Sequence, residues 1–149
     1  MTDKEQKYET LLSQVKAFSE SERDEIALMA NVTALIHETF NFWWTGFYRV
    51  VGQELVLGPF QGPVACTRIQ FGRGVCGTAW KEKQTIVVGD VEKFAGHIAC
   101  SSASKSEIVV PIFNGDNIIA ELDIDSDKLF TFDDTDKKYL EEIVMAMHL

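Results

Sequence analysis

No run of apolar residues approaches the ~20 that a membrane-spanning helix requires, and the short runs present are rich in strand-forming β-branched residues. Basic residues are scarce: 14 Lys+Arg against 23 Asp+Glu leave a formal charge of -9. A field of that sign repels phosphate backbones and anionic lipid, which excludes nucleic acid and membrane as default partners. The opening Met-Thr-Asp-Lys-Glu-Gln-Lys has no basic-then-apolar leader, so the expected location is the cytoplasm. With only 3 prolines and 10 glycines, the chain is neither disordered nor of low complexity. His37, His97 and His148 lie far apart and form no HExxH or paired-ligand spacing, so no metal site is expected. The three cysteines, Cys66, Cys76 and Cys100, include no CxxC pair. In a reducing compartment such thiols stay reduced unless they are catalytic or redox-sensing.

What is present suits one globular domain over residues 1–149. The chain is 46% hydrophobic and long enough to bury a core without disulfides or metal. Tyr8, Leu11, Leu12, Val15 and Phe18 have the spacing of one helical face. Ser21 and Asp24 resemble a cap for a second helix, with Ile26, Met29, Ala30, Val32, Leu35 and Ile36 as its stripe and an end near Glu38. Strand patterns follow at Trp44–Val51 and Glu54–Phe60, joined by a hairpin at Gly52-Gln53. Val75–Lys83 reads as a short helix despite Gly77, Thr85–Val88 as a strand and Gly89–Ser106 as a long loop. Glu107–Phe113 and Ile118–Ile124 pair across Asn114–Asn117. The last helix starts at Phe132–Asp134 and buries Tyr139, Leu140, Ile143, Val144 and Met147. The order predicts an α+β fold: an antiparallel sheet with terminal helices on one face and loops over the other.

Three constellations could carry chemistry. Cys76 begins the Val75–Lys83 helix, where unpaired N–H groups and the helix dipole favour a thiolate. Cys100 lies in a polar segment, exposed enough to meet a solute, while the exposure of Cys66 has no signal. The plain alternative for each is a small buried hydrophobe. In Glu121-Leu122-Asp123-Ile124-Asp125, alternation puts the three acids on one strand face. Such acids repel one another unless a cation sits among them: Lys, Arg, a metal or an ammonium-bearing ligand. A solvated sheet edge is the alternative. Glu107, on the partner strand, falls over the same face. Five aromatics occupy residues 42–48, and alternation places Trp44 and Tyr48 together beside the acids, with Phe47 on the core side. Their amphipathic rings suit a cage for a small cation with an apolar tail, against simple core packing. Gly72-Arg73-Gly74 lacks the GK[ST] ending of a phosphate loop.

Gly72–Trp80, Ile86–Val91 and Glu107–Ile112 resemble GAF domains. More narrowly, three features resemble the free methionine-(R)-sulfoxide reductases, a stand-alone GAF family. They are the cysteines spaced by ten and twenty-four, the Trp43–Tyr48 run, and Glu107 together with Asp123-Ile124-Asp125. The resemblance runs from about Tyr8 to the last helix. It implies that Cys100 attacks the sulfoxide sulfur and becomes a sulfenic acid, which Cys66 resolves as a disulfide, with Cys76 as alternative partner or relay. It implies that Glu107, Asp123 and Asp125 hold the substrate ammonium and polarise or protonate the sulfoxide oxygen, with Trp44 and Tyr48 as walls. No bound cofactor is implied; thioredoxin, fed by NADPH, is the external reductant. Stand-alone domains of this kind often dimerise through an exposed N-terminal helix pair. Dipole arguments make Cys76 the most acidic thiol, whereas the resemblance points to Cys100 as nucleophile. Two other classes fit the same residues: a GAF-type ligand sensor and a thiol redox sensor without turnover.

Overall fold

The computed structural model describes residues 1–96 and 103–149. Helix α1 (Asp3–Ser21) starts in a capping box, in which the Glu5 amide donates to Thr2 Oγ1 at 3.1 Å and the Thr2 amide donates back to Glu5 Oε1. Helix α2 (Glu25–Phe40) is capped by Asp24, whose Oδ1 accepts from the Ala27 amide at 2.9 Å, and it ends at Asn41 in the left-handed region. The stripes need two corrections. On α1, Tyr8, Leu11, Leu12 and Val15 are buried, but Phe18 is 44% exposed and Ser19 takes its place. Three turns at about 3.6 residues each return to the Tyr8 face at Ser19 rather than Phe18. On α2, Ile26 and Ala30 are exposed and Leu28 is buried instead.

Strands β1 (Trp44–Val51) and β2 (Glu54–Gln61) form the expected hairpin around Gly52. A short edge strand, β3 (Arg68–Gln70), was not signalled, because three residues are too few to show alternation. Helix α3 (Gly74–Glu82), β4 (Ile86–Val88) and a 3-10 turn (Val91–Lys93) lead to β5 (Ser106–Asn114), β6 (Asn117–Ser126) and α4 (Asp134–Ala146). The six strands are antiparallel to their neighbours in the order β3-β2-β1-β6-β5-β4. Gly77 sits inside α3 because a Cβ there would stand 2.5 Å from the Gln70 carbonyl oxygen.

Side-chain alternation divides the sheet into two cores. Phe47, Ile108, Val110, Ile112, Leu122 and Ile124 face α1, α2 and α4, whose expected α4 stripe of Tyr139, Leu140, Ile143, Val144 and Met147 is buried throughout. On that face Asp136, fully buried, accepts from the Tyr8 hydroxyl at 2.5 Å, pairs with Lys4 and closes the α4 capping box with Asp133. Trp44, Tyr48, Leu55 and Val109 face the other way, against Val75, Cys76 and Ala79 of α3. Thus α3, which connects the two edge strands, joins the loops in covering the second face. Among the described residues no helix is long and apolar enough to cross a membrane.

Candidate active site

The site is built on β6, which runs between β1 and β5. Register sets three rows across the second face: Trp44, Asp125 and Glu107; Gly46, Asp123 and Val109; Tyr48, Glu121 and Pro111. The alternation expected for Glu121, Asp123 and Asp125 is therefore present, and Glu107 stands beside Asp125 as its cross-strand neighbour. The centre of this face is shut off from water: Glu107 is 7% exposed and Asp123 5%. This is no solvated edge.

Glu107, Asp123 and Asp125 lie within hydrogen-bonding reach of one another, and Ser104 Oγ donates to Asp125 Oδ1 at 3.2 Å. Burial is the largest cause pushing all three carboxyls above the usual range. Hydrogen bonds from Glu107, Cys76 and Asp125 draw Asp123 partly back down, whereas the neighbouring Asp123 pushes Glu107 and Asp125 higher. All three carboxyls thus hold a proton more readily than ordinary carboxyls, Asp123 the least so because its hydrogen bonds oppose the burial. No ion pair reaches the three acids among the described residues.

Cys76 is 4% exposed, a free thiol, with Sγ 4.0 Å from Glu107 Oε2. Its position near the start of α3 is as expected, but its acidity is not. Burial, followed by the fields of Asp123 and Glu107, pushes the thiol well above its ordinary value. A helix terminus contributes about 0.3–1 kcal/mol, roughly 2 at most. Full burial among acids shifts a titration by up to about 3–5 units, so the dipole loses.

Trp44 and Tyr48 line the pocket. Their rings stack at 6.2 Å, and Trp44 also stacks on Phe60 at 5.3 Å while its Nε1 donates to the Pro63 carbonyl. Gly46 makes room for the indole: a Cβ there would stand 2.6 Å from its ring and 2.4 Å from Phe60 Cβ. The Tyr48 hydroxyl donates to the Cys66 carbonyl at 2.8 Å, and burial, ahead of Asp123, keeps it protonated. Cys66, half-buried in the loop between β2 and β3, is disulfide-bonded. Cys100 lies outside the described residues.

The pocket brings together Trp44, Tyr48, Cys76, Glu107, Asp123 and Asp125. Sequence reasoning missed Ser104, Arg73, Trp43 and the Val64–Ala65 segment on its walls. Arg73 carried a signal in the Gly-Arg-Gly turn; Ser104, inside a long loop, carried none. Arg73 is the one basic side chain among the described lining residues, and it is exposed at the rim.

The GAF domain family matches residues 24–147. The chain is 60% identical over 145 residues to GAF domain-containing protein A of Dictyostelium discoideum, spanning 97% of this chain and 92% of that one. It is 44% identical to the free methionine-R-sulfoxide reductase of Escherichia coli, over 94% of this chain and 86% of that one. Among solved structures, the Neisseria meningitidis free methionine-R-sulfoxide reductase in complex with its substrate superposes with a TM-score of 0.95. It is 50% identical, covering 99% of this chain and 89% of its own.

Proposed function

The chain belongs to the GAF domain family and, within it, to the free methionine-R-sulfoxide reductases, and from that membership we propose how its residues reduce free methionine-(R)-sulfoxide to methionine. Cys100 is the nucleophile. Its thiolate attacks the sulfoxide sulfur, the oxygen passes to the cysteine as a sulfenic acid, and methionine leaves. Cys66 then displaces that hydroxyl as water and forms a disulfide before further oxidation can occur. The disulfide-bonded Cys66 and the free, buried Cys76 support Cys66 as the resolving thiol. A dithiol of the thioredoxin class reduces the disulfide, and the cytoplasm, where such reductants keep thiols reduced, is the setting.

The observation that carries this reading is the buried Glu107–Asp123–Asp125 cluster beneath the Trp44–Tyr48 wall. A sulfoxide oxygen departs only when protonated or strongly hydrogen-bonded, and Glu107, whose carboxyl burial pushes well above the ordinary range, is suited to that task. Asp123 and Asp125 receive the ammonium; Arg73 at the rim receives the carboxylate. Methionine sulfoxide within a peptide presents an uncharged amide to the acids and leaves them unpaired, so it is rejected.

The test is turnover with thioredoxin, thioredoxin reductase and NADPH on the free R form, the free S form and an N-blocked R form. Consumption of the free R form alone supports the reading. No consumption of any form by protein with reduced thiols refutes it and favours a ligand sensor. Asp123→Ala combined with Asp125→Ala raises KM at least about tenfold, far more than it changes thiol reactivity; an unaltered KM removes the acids from ammonium binding.

A further inference from the structure

Cys76, Glu107 and Asp123 come from α3, β5 and β6, and each offers a ligand atom within 4.8 Å of the other two. All three side chains are more than nine-tenths buried. Among the described residues Asp123 Oδ1 has no hydrogen-bond partner, although its residue is only 5% exposed. A buried carboxylate oxygen is rarely left so, because the lost water contacts have to be replaced. Here the unpartnered oxygen belongs to the residue that already accepts from both Glu107 and Cys76.

One thiol and two carboxylates form a donor set for a zinc-class cation. Zinc takes sulfur at about 2.3 Å and carboxylate oxygen at about 2.0–2.2 Å, so donors around it lie roughly 3.3–3.8 Å apart. The present 4.0 Å between Cys76 Sγ and Glu107 Oε2 is within reach of that spacing by a small side-chain adjustment. Asp125, joined to Asp123 and Glu107, supplies further negative charge behind the ligands. Magnesium and calcium require six or more oxygens, which a site with a thiol and an aromatic wall does not offer.

We propose that Cys76, Glu107 and Asp123 form a binding site for a thiophilic divalent cation of the zinc class, which occupies the acid cluster and excludes the substrate ammonium. The exclusion rests on the substrate reading given above; cation binding itself does not. The site turns the reductase off when such a cation is available, and it gives Cys76 a task that does not need a reactive thiolate. Ligands from three separate elements explain why the sequence had no metal-binding spacing.

The experiment uses the full chain in its disulfide form without reductant, with one titratable thiol per chain verified after denaturation. Cadmium is added as the probe, and thiolate-to-cadmium charge-transfer absorption in the ultraviolet reports binding. The expected result is one cadmium per chain, unaffected by excess magnesium and displaced by zinc. Cys76→Ser abolishes the band. Asp123→Asn, which keeps the thiol and the shape, weakens binding by roughly tenfold or more, a loss that even outer-shell changes produce at metal sites. Cadmium also raises the concentration of methionine sulfoxide needed to change tryptophan fluorescence. No band, a band that survives in Cys76→Ser, equal affinity in Asp123→Asn, or sulfoxide binding indifferent to cadmium overturns the proposal. Failure of the reductase reading appears separately, as absent turnover by the metal-free reduced enzyme.

Discussion

The Tyr48 hydroxyl donates a 2.8 Å hydrogen bond to the carbonyl oxygen of Cys66, which ties the pocket wall on β1 to the loop carrying a disulfide-bonded cysteine. Tyr48→Phe keeps the ring and removes only this bond. Loss of about 1 kcal/mol of stability follows, together with a slower resolving step because the Cys66 backbone is no longer held. Trapping of sulfenic acid with a dimedone-type reagent after one turnover reads that step, and the variant accumulates more adduct at nearly unchanged KM. Wild-type trapping with a raised KM would instead assign the hydroxyl to the substrate.

With Glu107 as the proposed acid, the rate is expected to fall on the alkaline side. Burial, then Asp123 and Asp125, hold its carboxyl well above the ordinary range, so it is a proton donor at low pH and loses that role as pH rises through its raised value. Glu107→Gln removes this descending limb and lowers kcat by about 10²–10⁴-fold. Single-turnover rates across pH check both the limb and the magnitude.

Glu121 is fully buried on the same strand face, and among the described residues neither of its carboxyl oxygens has a hydrogen-bond partner. Burial, followed by Asp123, raises its titration point. The folded state therefore holds the proton more tightly than the unfolded chain. Its contribution to stability is complete below the ordinary glutamate value of about 4.3 and is lost as pH rises toward the folded value. Glu121→Gln, neutral at every pH, raises Tm at about pH 8, and the gain disappears near pH 4. A pH-independent difference in thermal denaturation would contradict this.

Asp136 tests whether the two cores are energetically separate. It joins Tyr8, Lys4 and the Asp133 amide on the helix-covered face, away from the pocket. Asp136→Ala costs about 3 kcal/mol by unpairing the buried Tyr8 hydroxyl and opening the α4 cap. The midpoint of urea unfolding falls, while kcat/KM, measured where the variant is folded, stays at the wild-type level.

Elements governed by local periodicity were legible in the chain. The alternation of Glu121, Asp123 and Asp125 against Leu122 and Ile124, the hairpin at Gly52-Gln53 and the five-residue stripe of α4 all follow from spacing, because pleat and helix repeat are local properties. Even the pairing of Trp44 and Tyr48 with the acids needed only strand parity and adjacency. Where a stripe reached a helix end or its first turn, as at Phe18 and Ile26, spacing named residues that the neighbouring elements leave uncovered.

What tertiary structure decided depends on contacts between elements distant in sequence. The thiol of Cys76 has a helix-start address that favours ionisation, and only packing of α3 over β5 and β6 surrounds it with Glu107 and Asp123 and reverses the sign. The pairing of β5 with β6 places Ser104, just before β5, on Asp125. Sequence alone determined which residue types could share a face. The fold determined their protonation, because desolvation and Coulomb fields act through space and have no period along the chain.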